Sequence, residues 1–210
     1  RRVLFRSAGI GDIVPSIENP QLYLETNVLG TVKILEASRF QNIKRFVYAS
    51  SSSCYGLAQT PTDENHDIDP KYPYAFSKYQ GECAVFHWQK VYGLQVNSIC
   101  IFNAYGTRVR TTGAYGAVFG VLLKQKLAGK PLTIVGDGNQ MRDFIYVTDV
   151  ASAFIKAGNS LTFGHRFNIG SGKPVSILHL AKILGGSIDF IPKRPGEPEV
   201  THANISKAEK

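Results

Sequence analysis

Helical and extended patterns alternate along the first half of this chain. Apolar residues recur at helical spacing over residues 20–40, and the apolar run 46–49 comes next, bounded by serines. A second helical pattern over residues 74–92 stops at Gly93 and leads into the apolar-rich stretch 94–101. Because helices that alternate with strands form right-handed βαβ units, this order predicts an α/β fold built on a parallel sheet.

The second half of the chain has a looser pattern of short elements. The predicted helices and strand lie near residues 114–127, 132–135, 147–157 and 177–184. We interpret residues 8–106 as one domain that contains the parallel sheet. Residues 107–210 are predicted to form mainly a smaller, mixed α/β lobe, with residues 144–170 returning to the first domain.

The two ends of the chain give separate expectations. Residues 1–7 read Arg-Arg-Val-Leu-Phe-Arg-Ser, are unlike the rest of the chain, and contain no initiator methionine. We interpret them as a remnant of cloning or sequencing and exclude them from the fold. At the other end, residues 205–210 are predicted to begin a further helix.

The composition is that of a globular protein. It is 43% hydrophobic and 19% charged, which excludes disordered, collagen-like and disulfide-dense chains. No apolar run approaches the ~20 residues of a membrane span, and no signal peptide is present. The cysteines Cys54, Cys83 and Cys100 lack paired-ligand spacing, so we expect no metal site, no membrane association and a cytoplasmic location.

The formal net charge of +8 raises the question of nucleic-acid binding. Without Arg1, Arg2 and Arg6 the net charge is 8 − 3 = +5, and the remaining basic residues are dispersed. No dense basic run is interleaved with aromatic residues, so we expect no nucleic-acid partner. A modest positive charge is also what a site for an anionic small molecule requires.

A tyrosine and a lysine four positions apart stand at the start of the second predicted helix. Tyr74 and Lys78 share one helical face, and a nearby cation lowers the pKa of a phenol toward a value useful for general base catalysis. Taken alone, this spacing is more typical of a solvent-facing lysine. The serine run 50–53 favours the catalytic interpretation, because it places hydroxyls at the carboxyl edge of the predicted sheet, where ligands bind in open α/β folds.

Further segments complete the pattern of a known family. Asn27 lies upstream of the serine run, Phe102 and Asn103 lie downstream of Lys78, and residues 136–150 read GDGNQMRDFIYVTDV. From about Ala8 to the C-terminus, the combination resembles the extended short-chain dehydrogenase/reductase family, specifically its nucleotide-sugar epimerases and dehydratases. The resemblance implies a Rossmann-like sheet, NAD as the cofactor, and a UDP-sugar as the substrate, bound mainly by the smaller lobe.

The resemblance also implies roles for individual residues. As catalytic residues it implies Ser51 as the hydrogen-bond donor to the sugar oxygen, Tyr74 as the base, and Lys78 as the group that lowers the pKa of Tyr74 and holds the nicotinamide ribose. The implied cofactor-binding residues are Ala8, Gly9, Asn27, Ser50, Tyr74, Lys78 and Phe102. The implied substrate-binding residues are Ser51, Asn103, Thr133, Val135, Arg142 and Arg194. A structural contact for Asn27 and surface salt bridges for Arg142 and Arg194 are the open alternatives.

The sequence departs from the family pattern in two places. The glycine-rich phosphate loop and the ribose-binding acidic residue would precede Ala8, and the chain contains no GxxGxxG. We therefore expect an N-terminally truncated fragment that does not hold NAD firmly by itself. Cys100 and Ile101 stand where the family commonly has an arginine and an aromatic residue, and we expect Cys100 to be a buried packing thiol.

The reaction type depends on the residues after Ser51. Ser52 and Ser53 stand where the family's 4,6-dehydratases carry an Asp-Glu pair, and a hydroxyl does not replace a carboxylate in acid–base catalysis. We therefore predict a UDP-sugar 4-epimerase. The alternatives are a 4,6-dehydratase or another enzyme that oxidises C4, and a non-catalytic binding protein. The family resemblance also implies a homodimer, and the helices over residues 20–40 and 74–92 could form its interface.

Overall fold

The computed structural model describes residues 2–109, 111, 118–193 and 198–210. In chain order the elements are β1 (Val3–Arg6), α1 (Ile13–Glu18), α2 (Pro20–Tyr23), α3 (Gly30–Phe40), β2 (Arg45–Ser51), α4 (Pro73–Tyr92), β3 (Gln95–Ile101), β4 (Asn103–Tyr105), α5 (Val118–Leu127), β5 (Leu132–Val135), β6 (Met141–Arg142), β7 (Phe144–Tyr146), α6 (Val147–Asn159), β8 (His165–Ile169), β9 (Val175–Ser176), α7 (Ile177–Leu184) and β10 (Ile188–Ile191). A π-helical segment, Leu24–Leu29, joins α2 to α3, and a 3-10 turn, Ser52–Tyr55, comes directly after β2.

The main sheet contains four strands in the order β1, β2, β3, β8, and its three pairings are all parallel. Its register places Ser51 at the end of β2 beside Ile101 at the end of β3. The carboxyl ends of the two predicted strands therefore meet at one edge. This sheet, with helices packed against it, confirms the predicted α/β, Rossmann-like class.

Alternate residues of β2 point to opposite faces of the sheet. Phe46 and Tyr48 pack in one buried cluster with α3 and α4, whereas Val47 and Ala49 pack in another with α6. Helices thus cover both faces, which explains why successive residues of β2 and β3 are buried on both sides of the sheet. Because α6 packs on the sheet, the chain returns to it after β7.

A smaller group of elements surrounds the parallel pair β5 and β10. Its buried core consists of Leu122, Leu132, Ile134, Ile177, Leu180 and Ala181, contributed mainly by α5, α7 and β5. Four further short strands form two pairs, β4 with β7 and β6 with β9. In the sequence, these strands come between elements of the main sheet and elements of the smaller group. The boundaries of the two predicted domains stay a prediction.

The first strand contains residues that we set aside on the basis of sequence. Val3–Arg6 pair in parallel with β2, in register with Arg45 to Tyr48, so excluding residues 1–7 from the fold was wrong for this strand. An apolar run such as Val-Leu-Phe can pair with a buried neighbour through its backbone whatever its origin. The origin of residues 1–7 stays a prediction.

The C-terminal helix expected over residues 205–210 is also wrong. The chain makes a single turn at residues 206–208, in which the backbone N of Ala208 donates to the carbonyl of Ile205 at 2.9 Å. Helical spacing over six residues does not by itself ensure a helix, because the stability of so short a helix depends on tertiary packing. Within the described ranges, no helix has the length and hydropathy needed to span a bilayer.

Candidate active site

The carboxyl ends of β2 and β3 open into a cleft of about 470 Å³. The loop after β1, the serine run, the start of α4, the segment after β3 and two residues near the C-terminus contribute to its walls. The lining residues that bear on its chemistry are Gly9, Asp12, Ser50, Ser51, Ser52, Ser53, Lys71, Tyr74, Lys78, Phe102, Asn103, Arg142 and Thr201. The cleft thus lies at the sheet edge where the sequence predicted the site.

Ser51 ends β2 and caps the next turn. Its backbone is extended, its Oγ accepts a hydrogen bond from the backbone N of Ser53 at 3.3 Å, and the two hydroxyl oxygens lie 2.8 Å apart. Ser51 and Tyr74 both line the cleft, and the Ser51 side chain acts to lower the pKa of the Tyr74 phenol. The change from strand to 3-10 turn therefore presents the Ser51 hydroxyl to the phenol across the cleft.

Tyr74 and Lys78 lie in the first turns of α4, which begins at Pro73, a residue suited to a helix start because its fixed φ is already helical. Burial raises the pKa of Tyr74 to about 12, while the Ser51 side chain acts in the opposite direction. Burial lowers the pKa of Lys78 to about 8. Its Nζ lies 4.7 Å from the ring centre of Tyr48.

The direction of the Tyr74 shift differs from the expected one. From the sequence we expected Lys78 to lower the pKa of Tyr74, but desolvation of the phenolate is the largest effect and the net shift is upward. In this structure the phenol keeps its proton well above neutral pH. A positive charge close to its oxygen is needed before Tyr74 can act as a base.

Asn27 makes structural hydrogen bonds next to the cleft, and its role as a cofactor contact stays a prediction. Its side chain is buried behind the cleft. The backbone N of Ile10 donates to its Oδ1 at 3.0 Å, and its Nδ2 donates to the carbonyl of Ile10 at 3.0 Å and to Ser77 Oγ at 2.9 Å. These bonds favour the structural alternative, in which Asn27 positions the loop after β1 against α4.

Asn103 and Thr201 form one wall of the cleft. The Asn103 Nδ2 donates to the Thr201 hydroxyl at 2.9 Å and to the carbonyl of Asp143 at 3.3 Å. Arg142 lies on the same wall, where its Nη1 donates to the carbonyl of Met141 at 2.8 Å. Thr201 carried no recognisable signal in the sequence, because 98 positions separate it from Asn103.

Asp143 is fully buried and bonds to the segment that forms this wall. Its carboxylate accepts hydrogen bonds from the backbone N atoms of Ser171, Gly172 and Ala203 at 2.6, 3.1 and 2.9 Å, and from the Ser171 hydroxyl at 2.8 Å. In the sequence, Asp143 stood within the motif at residues 136–150 but received no role. Its bonds show that it joins the end of β8 to the C-terminal segment.

Four predicted site residues are not among those that line the described cleft. Ala8 is exposed, although its neighbours Ser7 and Gly9 line the cleft. Thr133 and Val135 share one face of β5 in the smaller lobe, where the backbone N of Thr133 donates to Oε1 of Gln125 at 3.0 Å. Asn27 is the fourth. Arg194 lies outside the described residues.

The residues of the cleft fit the nicotinamide and ribose end of a dinucleotide. A Cβ at Gly9 would lie 2.9 Å from Oδ1 of Asn27 and 3.9 Å from Nζ of Lys78, so a side chain there would fill space next to the ammonium. The buried Oγ of Ser50 has no nitrogen or oxygen partner among the described residues. Tyr74 and Lys78 add two further hydrogen-bond donors in the same cleft.

Cys100 is buried beside Tyr55 and Phe102, and burial raises the pKa of its thiol well above the usual range. This agrees with the expected packing role. No cluster of three or more His, Cys, Asp or Glu residues in the described ranges could hold a metal ion.

A twisted parallel sheet with helices on both faces and a serine, tyrosine and lysine at its carboxyl edge defines a Rossmann-like α/β protein with a nucleotide-binding type of site. The chain belongs to the NAD-dependent epimerase/dehydratase family, whose model matches residues 2–170.

Named relatives and solved structures agree with this assignment. The chain is 38% identical to a putative UDP-glucose 4-epimerase of Methanocaldococcus jannaschii, covering 99% of the chain and 70% of that protein. It superimposes with a TM-score of 0.95 and 29% identity on UDP-N-acetylglucosamine 4-epimerase from Methanobrevibacter ruminantium in complex with UDP-N-acetylmuramic acid, covering 100% of the chain and 70% of that structure. The chain also superimposes on UDP-glucuronic acid 4-epimerase from Bacillus cereus, in complex with UDP-glucuronic acid and NAD, with a TM-score of 0.91 and 32% identity. The match covers 99% of the chain and 68% of that structure.

The chain spans 70% of the length of the Methanocaldococcus jannaschii relative and 62% of the length of a second curated relative, a UDP-glucose 4-epimerase of Mycolicibacterium smegmatis. What these relatives do as whole proteins is therefore a proposal for this one.

Proposed function

We propose that the complete protein containing this chain is an NAD-dependent UDP-sugar 4-epimerase, which inverts C4 through a transient 4-keto sugar. The observation that carries this proposal is that Ser51, Tyr74 and Lys78 line one cleft at the carboxyl edge of the sheet. The relatives reported above are named as 4-epimerases of three different UDP-sugars, one of them as a putative enzyme, which supports the reaction more strongly than any one substrate.

The chain's own residues transfer the proton and orient the sugar. Bound NAD would supply the acceptor and donor of the hydride at C4. Ser51 donates a hydrogen bond to the C4 oxygen, while Tyr74 Oη takes the proton of the C4 hydroxyl and gives it back after the sugar has turned over. With a pKa of about 8, Lys78 is mostly charged at pH 7, and its ammonium would stabilise the Tyr74 phenolate on approaching the phenol oxygen. Lys78 would also hold the nicotinamide ribose.

The remaining contacts are assigned from the walls of the cleft. Gly9, Ser50 and Phe102 would contact the cofactor. Asn103 and Arg142 would hold the substrate, with the guanidinium matched to the diphosphate. Ala8 and Asn27 as cofactor contacts, and Thr133, Val135 and Arg194 as contacts to the nucleotide, stay predictions.

A nucleotide-sugar 4,6-dehydratase, or another enzyme that oxidises C4, is the alternative. Ser52 and Ser53 line the cleft directly after Ser51 and supply hydroxyls and no carboxylate. Water elimination needs a stronger acid and base than these hydroxyls provide. The product distinguishes the two reactions, since elimination yields a 4-keto-6-deoxy sugar.

We also propose that the protein is a homodimer in the cytoplasm. Exposed apolar residues lie on the helices that we expected at the interface, among them Leu22, Leu29, Phe76 and Val91. A second copy of the chain would cover this surface. The three cysteines are free thiols, as expected in a reducing compartment.

The test uses the complete reading frame, incubated with UDP-glucose, UDP-N-acetylglucosamine and UDP-glucuronate and followed by proton NMR. We expect the C4 epimer to appear without net consumption of NAD. Tyr74→Phe should lower kcat by about a hundredfold or more while nucleotide binding is retained. Tyr79→Phe, on the same helix but outside the cleft lining, is the matched control. A 4-keto-6-deoxy product, or an unchanged rate in Tyr74→Phe, would overturn the proposal.

A further inference from the structure

The loop between β1 and α1 carries an acidic residue in a strained conformation. Asp12 has a φ of 81°, in the left-handed region, and directly precedes α1. A non-glycine residue adopts such a φ at a cost, and these outliers persist where the surrounding structure holds them. Such residues cluster at functional sites, so the contacts around Asp12 are informative.

Two side chains hold this loop in place through hydrogen bonds to the two residues before Asp12. Asn27 binds the backbone N and the carbonyl of Ile10, each at 3.0 Å. The Tyr23 hydroxyl donates to the carbonyl of Gly11 at 2.5 Å. The loop therefore cannot shift to relieve the strain at Asp12 without breaking these bonds.

The same contacts place Asp12 near the Ser51–Tyr74 pair. The Tyr23 ring that holds Gly11 also packs edge-to-face on the Tyr74 ring, with 6.3 Å between centroids. Asp12 lines the cleft together with Tyr74, and its negative charge is among the causes that raise the pKa of Tyr74. Asp12 therefore shares the cleft with Tyr74, and its charge acts on the phenol.

The cleft lining carries charges of both signs. Among the described lining residues, Asp12 is the one carboxylate, and the cations are Lys71, Lys78 and Arg142. Arg142 lies on the wall of Asn103, where the diphosphate is proposed to bind. The cleft thus combines three cations with one carboxylate, which the loop after β1 contributes.

We propose that Asp12 is a specificity residue that selects UDP-sugars whose hexose is neutral, either unmodified or N-acetylated, over UDP-uronates. This inference rests on the proposed function. A carboxylate accepts hydrogen bonds from sugar hydroxyls or from an amide N–H, and these groups are present in both neutral classes. It repels the carboxylate of a uronate inside a partly dehydrated cleft, where like charges interact strongly. Discrimination then comes from repulsion of the wrong substrate as well as attraction of the right one.

The test compares kcat/KM of the complete protein on UDP-glucose, UDP-N-acetylglucosamine and UDP-glucuronate. We expect the better neutral substrate to exceed UDP-glucuronate by about tenfold or more. Asp12→Asn removes the charge but keeps the size, and asparagine tolerates a left-handed φ. This variant should narrow the ratio of kcat/KM between the neutral sugar and UDP-glucuronate by about tenfold, mainly through a lower KM for UDP-glucuronate. Glu18→Gln, an exposed acid in α1, is the matched control and should leave the ratio as it is.

Failure of this inference can be separated from failure of the proposed function. If wild-type protein uses UDP-glucuronate as well as a neutral sugar, or if Asp12→Asn leaves the ratio unchanged, the role of Asp12 is overturned. If no UDP-sugar is epimerised, the proposed function fails. Calorimetric titration of UDP-glucose and UDP-glucuronate into wild type and Asp12→Asn then tests Asp12 alone. Unchanged affinity for UDP-glucuronate in the variant would overturn its role.

Discussion

The side-chain amide of Asn27 hydrogen-bonds both backbone groups of Ile10, each at 3.0 Å. The same amide donates to Ser77 on α4, and Asn27 itself lies in the π-helical segment Leu24–Leu29. One buried side chain thus joins the loop after β1 to the helix that carries Tyr74. Local π-helical geometry is often found at functional sites.

Asn27→Ala should lower the free energy of unfolding by about 2 kcal/mol or more, because it removes the partner of both backbone groups of Ile10 and one of the two hydrogen bonds of the Ser77 hydroxyl. Urea denaturation measures this loss. Asn159→Ala, which removes an exposed amide at the end of α6, is the control and should change stability by less than about 0.5 kcal/mol. Equal stability of the two variants would contradict the structural role of Asn27.

The buried Lys78 should make stability depend on pH. Its pKa falls from 10.5 to about 8 on folding. Between these values the unfolded chain binds a proton that the folded chain does not, so this group makes stability rise with pH, by at most about 1.4 kcal/mol per pH unit. Above pH 10 Tyr74 opposes the rise, since burial raises its pKa and the folded state keeps the proton longer.

Comparison with Lys78→Met isolates the lysine. Urea unfolding at pH 7, 8, 9 and 10 should show the stability of wild type increasing relative to that of the variant between pH 8 and 10. A constant difference over this range would contradict the lowered pKa.

A buried ion pair joins α4 to β8. Arg166 donates from Nε to Oε1 of Glu82 at 3.0 Å and makes a second bond to the other carboxylate oxygen, with Glu82 almost fully buried. Glu82→Gln leaves the guanidinium without its counter-charge and should cost about 3 kcal/mol or more. Glu36→Gln, at the exposed pair with Arg39, should cost less than about 1 kcal/mol. Denaturation curves that show equal losses for the two variants would refute this difference.

Asp143→Asn should weaken both stability and nucleotide binding. The amide keeps one acceptor oxygen but turns an N–H group toward backbone N–H donors that now bond the carboxylate. We expect a loss of about 2 to 4 kcal/mol in unfolding free energy, and weaker UDP binding because Asn103 and Thr201 depend on the same segment. Calorimetry with UDP and urea denaturation measure the two effects. Unaltered UDP affinity in a destabilised variant would restrict Asp143 to a structural role.

Much of the sheet and its helices could be predicted from local sequence patterns. The strands β2 and β3 contain the apolar residues expected of a sheet covered on both faces, and α4 has a proline at its start and Gly93 at its end. Such signals lie within a few residues of one another. The short final turn after Ile205 was wrongly predicted as a helix, because a helical pattern of six residues says nothing about whether packing supports it.

The site was only partly predictable for a related reason. A sequence motif brought Ser51, Tyr74 and Lys78 together, and the structure places all three on the lining of one cleft, while their catalytic roles stay a prediction. Asn27 was assigned to the cofactor, since an amide in an apolar helix shows that a partner exists but not which one. Asp12 and Thr201 were missed, as their importance comes from tertiary contacts and, for Asp12, from a backbone angle that a sequence does not reveal.

The bonds of residues 199–204 have a consequence for the order of folding. Thr201 reaches Asn103 across 98 positions of chain, while Thr62 pairs with the backbone on both sides of Ala203. During synthesis β1, β2 and β3 can associate early, but one wall of the cleft waits for a segment that leaves the ribosome more than ninety residues after Asn103. Until then, the carboxylate of Asp143 lacks its bond to Ala203. Ligand affinity is therefore acquired late, after most of the hydrophobic burial, and a chain stalled before residue 201 would be compact without a finished binding surface.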